Sequence, residues 1–222
     1  MINKIFKDRT EAGQFLAGKL SEYRDRDDVV VLALPRGGVP VAFQVARSLK
    51  VPLDVFVVRK LGVPGVEECA MGAIASGGIR VLNEKVISYL DLPVDVVDEI
   101  TAMEFTELER RERLYRGTRA PEDVAGRTVI IVDDGLATGS TMRAAVKALR
   151  KMNPKKIVVA VPVGARETCD SFKKEVDTVA VCAITPEPFN AVGLWYRDFT
   201  QTTDAEVQQL LRLAAQQTKA AA

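Results

Sequence analysis

Short, unbroken apolar runs alternate along this chain with longer segments whose apolar positions recur at helical spacing. The runs Asp28–Leu34, Leu53–Val58, Thr128–Val132, Ile157–Val161 and Thr178–Ile184 have the length and β-branched content of strands buried on both faces. Between them, Ala12–Tyr23, Val39–Leu49, Pro93–Tyr115, the segment after Gly139, Ala165–Lys174 and Asp204–Leu213 predict helices. Ala70–Ala75 and Ile79–Leu82 flank Gly77-Gly78 in the manner of a hairpin, and Asn83 is placed to cap a short helix. Gly62–Glu68 reads as a turn-rich stretch, and Thr185–Thr200 as an irregular aromatic segment.

Strands that alternate with helices predict an α/β fold with a central parallel β-sheet, right-handed crossovers and helices on both faces. One domain over residues 1–222 is expected, with a core at about 28–184, a small hood or cap segment at about 185–200 and a closing helix over 204–213. Ligands of such sheets sit beyond the carboxyl ends of the strands. The loops Pro35-Arg36-Gly37-Gly38, Arg59-Lys60, Asp133–Thr141 and Pro162-Val163-Gly164 all fall there.

Composition narrows the chemistry. Of 222 residues, 47% are hydrophobic and 27% charged, enough for a full core and a charged surface. The 31 basic and 30 acidic side chains leave a net charge of +1, which gives a nucleic-acid partner no electrostatic support. No apolar stretch approaches the length of a membrane span, so no membrane partner is expected. Cys69, Cys169 and Cys182 show no metal-ligand spacing and read as buried or idle thiols, from which a reducing, cytoplasmic setting is expected. The absence of histidine excludes His-based acid–base catalysis, His metal sites and the Ser–His–Asp hydrolases.

The most informative stretch lies just after the strand Thr128–Val132. Two adjacent carboxylates, Asp133 and Asp134, lead into Gly135-Leu136-Ala137-Thr138-Gly139-Ser140-Thr141 and then a helix. A helix N-terminus offers unpaired N–H groups and a favourable dipole end to an anion, and the hydroxyls add donors. The paired acids would repel a phosphate, so they are expected to face sugar hydroxyls, a metal or a developing cation. An ordinary capped turn accounts poorly for two acids followed by Ala-Thr-Gly-Ser. The segment is neither a Walker A loop nor a dinucleotide fingerprint.

Val-Asp-Asp-Gly-Leu-Ala-Thr-Gly-Ser-Thr (132–141) resembles the phosphoribosyl-diphosphate (PRPP) signature of the type I phosphoribosyltransferases, and the resemblance extends in loop order over roughly residues 28–184. It implies a type I phosphoribosyltransferase-like fold and a homodimer. It also implies that Asp133 and Asp134 hold the ribose hydroxyls directly or through Mg²⁺ and water, as catalytic and metal-binding residues. Residues 135–141 become the substrate-binding loop, with Ala137–Thr141 on the 5-phosphate. Arg36, Gly37 and Gly38 match the pyrophosphate loop, and Arg59-Lys60 beside it is a further candidate for pyrophosphate contact. Phe189, Trp195 and Tyr196 are candidates for a hood that stacks on a planar base, although an aromatic mini-core explains each ring singly as well.

The implied activity is transfer of phosphoribosyl from PRPP to a small nitrogenous base with release of pyrophosphate. The same pocket also suits a non-catalytic PRPP or nucleotide sensor, or a phosphatase or hydrolase. Ala137 stands where the 6-oxopurine members carry an Asp, which argues against hypoxanthine or guanine as acceptor. Arg110-Arg111-Glu112-Arg113 reads as a solvated helix face, and Glu67-Glu68 as either a lid or a polar turn.

Overall fold

The computed structural model describes residues 4–175 and 180–221; side chains at 67, 68, 173–175, 180, 181 and 218–221 are outside that description. In chain order the elements are α1 (Arg9–Gly18), β1 (Val29–Ala33), α2 (Gly38–Leu49), β2 (Leu53–Val55), β3 (Val58–Val63), β4 (Val66–Ala75), β5 (Ile79–Leu82), α3 (Glu84–Tyr89), α4 (Val94–Arg116), β6 (Thr128–Val132), α5 (Ser140–Arg150), β7 (Lys156–Val163), α6 (Arg166–Glu175), β8 (Ala180–Ile184) and α7 (Asp204–Ala221). The expected start of the last strand at Thr178 lies outside the described residues.

Five strands form a parallel sheet in the order β2-β1-β6-β7-β8. Every residue of β1 and β6 is buried, which explains why these segments read as continuous apolar runs rather than as alternation. The pleat still sorts them. Val29, Val31, Ala33, Ile130 and Val132 join a core layer with α1, α2 and α7. Val30, Leu32, Val129 and Ile131 join the opposite layer with Met142, Val146 and Leu149 of α5 and Phe172 of α6.

The expected strand Leu53–Val58 is two strands in two sheets. After β2 the chain leaves the parallel sheet, and Val57 pairs with Ser76 through N–H to Oγ at 2.9 Å and Ser76 N–H to carbonyl at 2.9 Å. From there β3, β4 and β5 form a separate antiparallel sheet packed on α4 and α5. The stretch expected to be turn-rich, Gly62–Glu68, is mostly strand, bent tightly at Pro64-Gly65. An apolar run carries no mark of the point at which its partner strand changes, so the pattern could not show this division.

Helix α1 begins at Arg9, earlier than the apolar rhythm predicts. Asp8 Oδ1 accepts the Glu11 amide at 2.8 Å, and the Glu11 carboxylate accepts the Lys7 amide at 2.5 Å. The start of the helix is thus set by capping rather than by hydrophobic period. The cysteine reading is corrected as well. Cys169 on α6 and Cys182 on β8 are joined as a disulfide, with Cα atoms 6.4 Å apart, and Cys69 is the free thiol. The consecutive α6–β8 packing brings the pair together, so the cysteine count carries no inference about compartment. No helix among the described residues is long and apolar enough to cross a membrane.

A buried ion pair ties α4 to the edge of the parallel sheet. Arg116 Nε lies 3.0 and 2.9 Å from the two Asp54 oxygens, Nη2 donates to the Val55 carbonyl at 2.7 Å, and Nη1 donates to Glu112 at 2.6 Å. Removing one partner leaves the other charge stranded in the interior. Arg116→Ala should lower the unfolding free energy by about 3–5 kcal/mol, read as a fall in the denaturant midpoint.

Candidate functional site

The carboxyl ends of β1 and β6 bring together two loops that are about a hundred residues apart in sequence. Asp133 and Asp134 come directly after β6, and Asp133 Oδ1 accepts the Asp134 amide at 2.8 Å. Across from them the Pro35–Arg36 peptide is cis and leads into Gly37 and Gly38 at the start of α2. A Cβ on Gly37 would lie 2.1 Å from Asp134 Oδ2, and one on Gly38 would lie 2.8 Å from the Val132 carbonyl. Only a bare backbone fits so close to the acids. The Arg-Gly-Gly loop is therefore the wall of the acidic pair.

Burial holds both carboxyls above the ordinary carboxylate range. For Asp133, burial acts first and the neighbouring Asp134 charge adds to it. Asp134 is raised by burial too, but less freely, because Arg9 opposes the shift. Arg9 Nε donates to Asp134 Oδ2 at 2.9 Å, Nη1 donates to the Thr200 carbonyl at 2.8 Å, and the guanidinium lies 4.0 Å from the Phe199 ring centroid. No local pattern marks Arg9 in the sequence. The one available signal is the Asp8–Glu11 capping pair, which starts α1 early enough to put Arg9 on its first turn.

The phosphate-loop candidates divide by role. Leu136 is no ligand contact: its side chain is buried in the α5–α6 core layer, its N–H donates to Val163 at 2.9 Å, and its carbonyl accepts from Ala165 at 2.8 Å. The expectation for Leu136 is corrected to that of an anchor, pinned by the Pro162-Val163-Gly164 strand end. Beyond it, the Ala137 carbonyl is taken by the Thr168 hydroxyl at 2.6 Å and the Thr138 carbonyl by Arg143 Nη1 at 2.7 Å. Gly139 has φ +74°, and a Cβ there would meet the Phe172 ring at 2.7 Å. The carbonyls are satisfied, while the amides of Ala137 to Thr141 have no acceptor among the described residues. Those free donors, with the Thr138, Ser140 and Thr141 hydroxyls at the N-terminus of α5, suit an anion.

Arg36 stands about a third exposed beside this centre, with Nη1 3.8 Å from Asp204 Oδ1 at the start of α7. Asp204 also accepts the Tyr115 hydroxyl at 2.7 Å, and burial together with that carboxylate pushes the hydroxyl up to about 12. Arg59 and Lys60, the further candidates for pyrophosphate contact, come after the chain has left the parallel sheet at the end of β2. They lie on β3 of the antiparallel sheet, where Arg59 donates to Glu104 at 2.6 Å and Lys60 points to the side of the Thr138–Ser140 loop. Glu67 and Glu68 belong to β4 rather than to a loop, and their side chains lie outside the described residues. Arg110 and Arg111 pair with Glu107, as a solvated helix face would.

Of the hood rings, Tyr196 is enclosed. It packs on Phe6 and Phe199 with centroids 5.8 and 5.1 Å away, and its hydroxyl donates to the Asp134 carbonyl at 2.5 Å. Its expectation as a stacking face is corrected to that of a brace for the acidic turn. Trp195 and Phe189 are half-buried at the edge of the same mini-core, and Trp195 Nε1 is buried without a partner. Val192 of the hood sits where a Cβ on Gly135 would fall, 2.4 Å away, so Gly135 lets the hood close on the acidic loop.

The donor set also bears on a metal. No cluster of three or more His, Cys, Asp or Glu side chains occurs among the described residues. Asp133 and Asp134 alone suit Mg²⁺, which commonly takes one or two protein carboxylates and completes its shell with water and substrate phosphates.

Known proteins resemble this chain in sequence and in fold. The phosphoribosyl transferase domain family matches residues 67–194. The Mycobacterium tuberculosis H37Rv protein Rv0571c, which carries the name of a phosphoribosyl transferase, is 48% identical over 208 residues, covering 94% of this chain and 46% of that protein. The chain thus spans about half the length of that relative. A PyrR described as a bifunctional protein, from Halalkalibacterium halodurans, is 37% identical over 117 residues, 46% of this chain and 63% of its own. The crystal structure of TT1426 from Thermus thermophilus superposes with a TM-score of 0.81 at 40% identity, covering 93% of this chain and 97% of that one. The chain belongs to the phosphoribosyl transferase family, and its five-stranded parallel sheet flanked by helices is the α/β architecture that the sequence predicts.

Because Arg9 is the cation that Asp134 faces in the interior, removing it strands the acid. Arg9→Ala should cost about 3–5 kcal/mol of stability, and adding Asp134→Asn should recover a substantial part. A double-mutant cycle in denaturant reads the coupling, and strictly additive losses would contradict it.

Proposed function

We propose that this protein binds PRPP and transfers its phosphoribosyl group to a small nitrogenous base, releasing pyrophosphate, with Mg²⁺ as cofactor. The observation that carries this reading is the position of the buried Asp133–Asp134 pair between a loop of free amides and the Arg-Gly-Gly loop. A ribose 5-phosphate laid across the carboxyl ends of β1 and β6 meets complementary groups along its length. Its phosphate takes the amides and hydroxyls of Ala137–Thr141, and its secondary hydroxyls donate to the acids.

Cleavage of the bond from C1 to the diphosphate oxygen leaves oxocarbenium character on the ribose. Fixed carboxylates within a largely dry site stabilise that charge better than water does, because they need no reorganisation as it develops. Mg²⁺, when bound by Asp133 and Asp134 together with substrate oxygens, would offset the charge of the departing pyrophosphate. Arg36, steered by Asp204, is the chain's own cation for the same group. The base approaches from the hood, where Trp195 and Phe189 offer partly open rings. Ala137 puts no carboxylate beside it, so this loop supplies no proton acceptor.

The double variant Asp133→Asn with Asp134→Asn should lose pyrophosphate release from PRPP by about a hundredfold or more across a panel of bases. Its circular dichroism spectrum should show the fold kept, while its thermal midpoint falls because Arg9 loses its carboxylate partner. Chelation of Mg²⁺ should silence the wild type and re-addition restore it. Unchanged turnover in the double variant would sink the proposal.

A further inference from the structure

The outer side of the phosphate loop opens into a cavity of 480 Å³ between β3–β5 and α5. Thr138 and Ser140 are among its lining residues, with Lys60 from β3 and Arg143 and Lys147 from α5. Among the described residues its lining contains three basic side chains and no acidic one, in a chain whose net charge is only +1. Arg143 is committed to the Thr138 carbonyl and to Ser171 Oγ at 2.6 Å. The ammonium groups of Lys60 and Lys147 have no hydrogen bond or ion pair among the described residues. Arg143 and Lys147 are four residues apart on one helix face, a spacing at which like charges repel. Charges of one sign converging on a cleft select an occupant of the other sign.

Thr138 and Ser140 belong both to the phosphate loop and to this cavity, so an anion in the cavity lies next to the one in the loop. Two separate phosphates so placed would repel each other, whereas two phosphoryl groups sharing a bridging oxygen belong together. The cavity is also larger than one phosphoryl group needs and falls within the range of small-molecule pockets. Ala73 and Ala144 add small apolar side chains to its lining.

We propose that this cavity takes the second phosphoryl group, and the organic group esterified to it, of a ribose 5-diphosphate ester. The first phosphate of that ligand sits in the Ala137–Thr141 loop and its ribose at Asp133 and Asp134. The proposal rests on the reading of that loop and acid pair as a ribose-phosphate site. It adds a ligand class extended on the 5 side of the sugar, away from the position of the acceptor base.

ADP-ribose and ribose 5-phosphate are suitable probes, because both present a base-free terminal ribose and differ in the group beyond the first phosphate. Calorimetric titration of the wild type should give ADP-ribose about tenfold tighter binding than ribose 5-phosphate, as expected of added hydrogen bonds between charged groups. Lys147 is exposed on α5, so its substitution should leave the melting curve in place. Lys147→Ala should remove most of the advantage of ADP-ribose without changing the affinity for ribose 5-phosphate, and Lys147→Arg should keep it. Equal affinities of the wild type for the two probes overturn the second subsite and leave the ribose-phosphate reading standing. An advantage that survives Lys147→Ala also overturns it, since the adenosine would then be held elsewhere. If neither ribose 5-phosphate nor PRPP binds the wild type, the reading of the loop falls and this inference with it.

Discussion

Two carboxylates adjacent in the chain and removed from water repel each other, and this molecule is organised around making that repulsion tolerable at Asp133–Asp134. Asp133 takes the Asp134 amide, Asp134 takes the Arg9 guanidinium, and the Tyr196 hydroxyl holds the Asp134 carbonyl. Each brace comes from a different part of the chain: the turn itself, the first turn of α1, and the hood. Gly37 completes the enclosure by bringing bare backbone against the same carboxylate. The acids stay raised above their ordinary range because the braces offset burial only in part. That residual electrostatic demand is what a sugar's hydroxyl donors, a cation or a developing positive charge can satisfy.

The neighbouring loop solves the complementary problem of presenting donors rather than acceptors. Its backbone would be as ready to accept as to donate, yet the carbonyls at Ala137 and Thr138 are already occupied by Thr168 and Arg143. Leu136 pins one end in the core, and Gly139 turns the other into α5 through a left-handed conformation. A set of amides aimed at one place is left free. Preorganisation of this kind lets an anion bind without first rearranging the loop that receives it.

The antiparallel sheet β3–β5 adds a second surface against α5, on the side of the phosphate loop remote from Arg36. Its position explains why Arg59 and Lys60, adjacent in sequence, serve different neighbours: alternation along β3 sends one toward Glu104 on α4 and the other toward α5. The family relationship covers the loop and acid pair, and the similarity to the Thermus thermophilus protein extends over nearly the whole chain. Phe6, Arg9 and Tyr196 join the hood and the N-terminal helix to the acidic turn at the sheet's edge.

Local pattern alone determined the parallel sheet, most helices, and the place of the acid pair and of the Gly135–Thr141 loop at a strand's carboxyl end. Buried strands in an α/β sheet announce themselves by unbroken apolar runs, and the Asp133–Thr141 loop is contiguous, so its parts need no folding to be seen together. The Arg-Gly-Gly loop was legible for the same reason. Other features were decided only in three dimensions. Arg9 became a partner of Asp134 because α1 packs across α2, a contact between positions 125 residues apart. Tyr196 became a brace rather than a stacking ring, and Leu136 a core anchor rather than a ligand contact, since burial is a property of the packed layers. Cys169 and Cys182 found each other through the same kind of packing. Spacing along a chain reports what one element does with its own faces; which groups meet across elements depends on how the layers close.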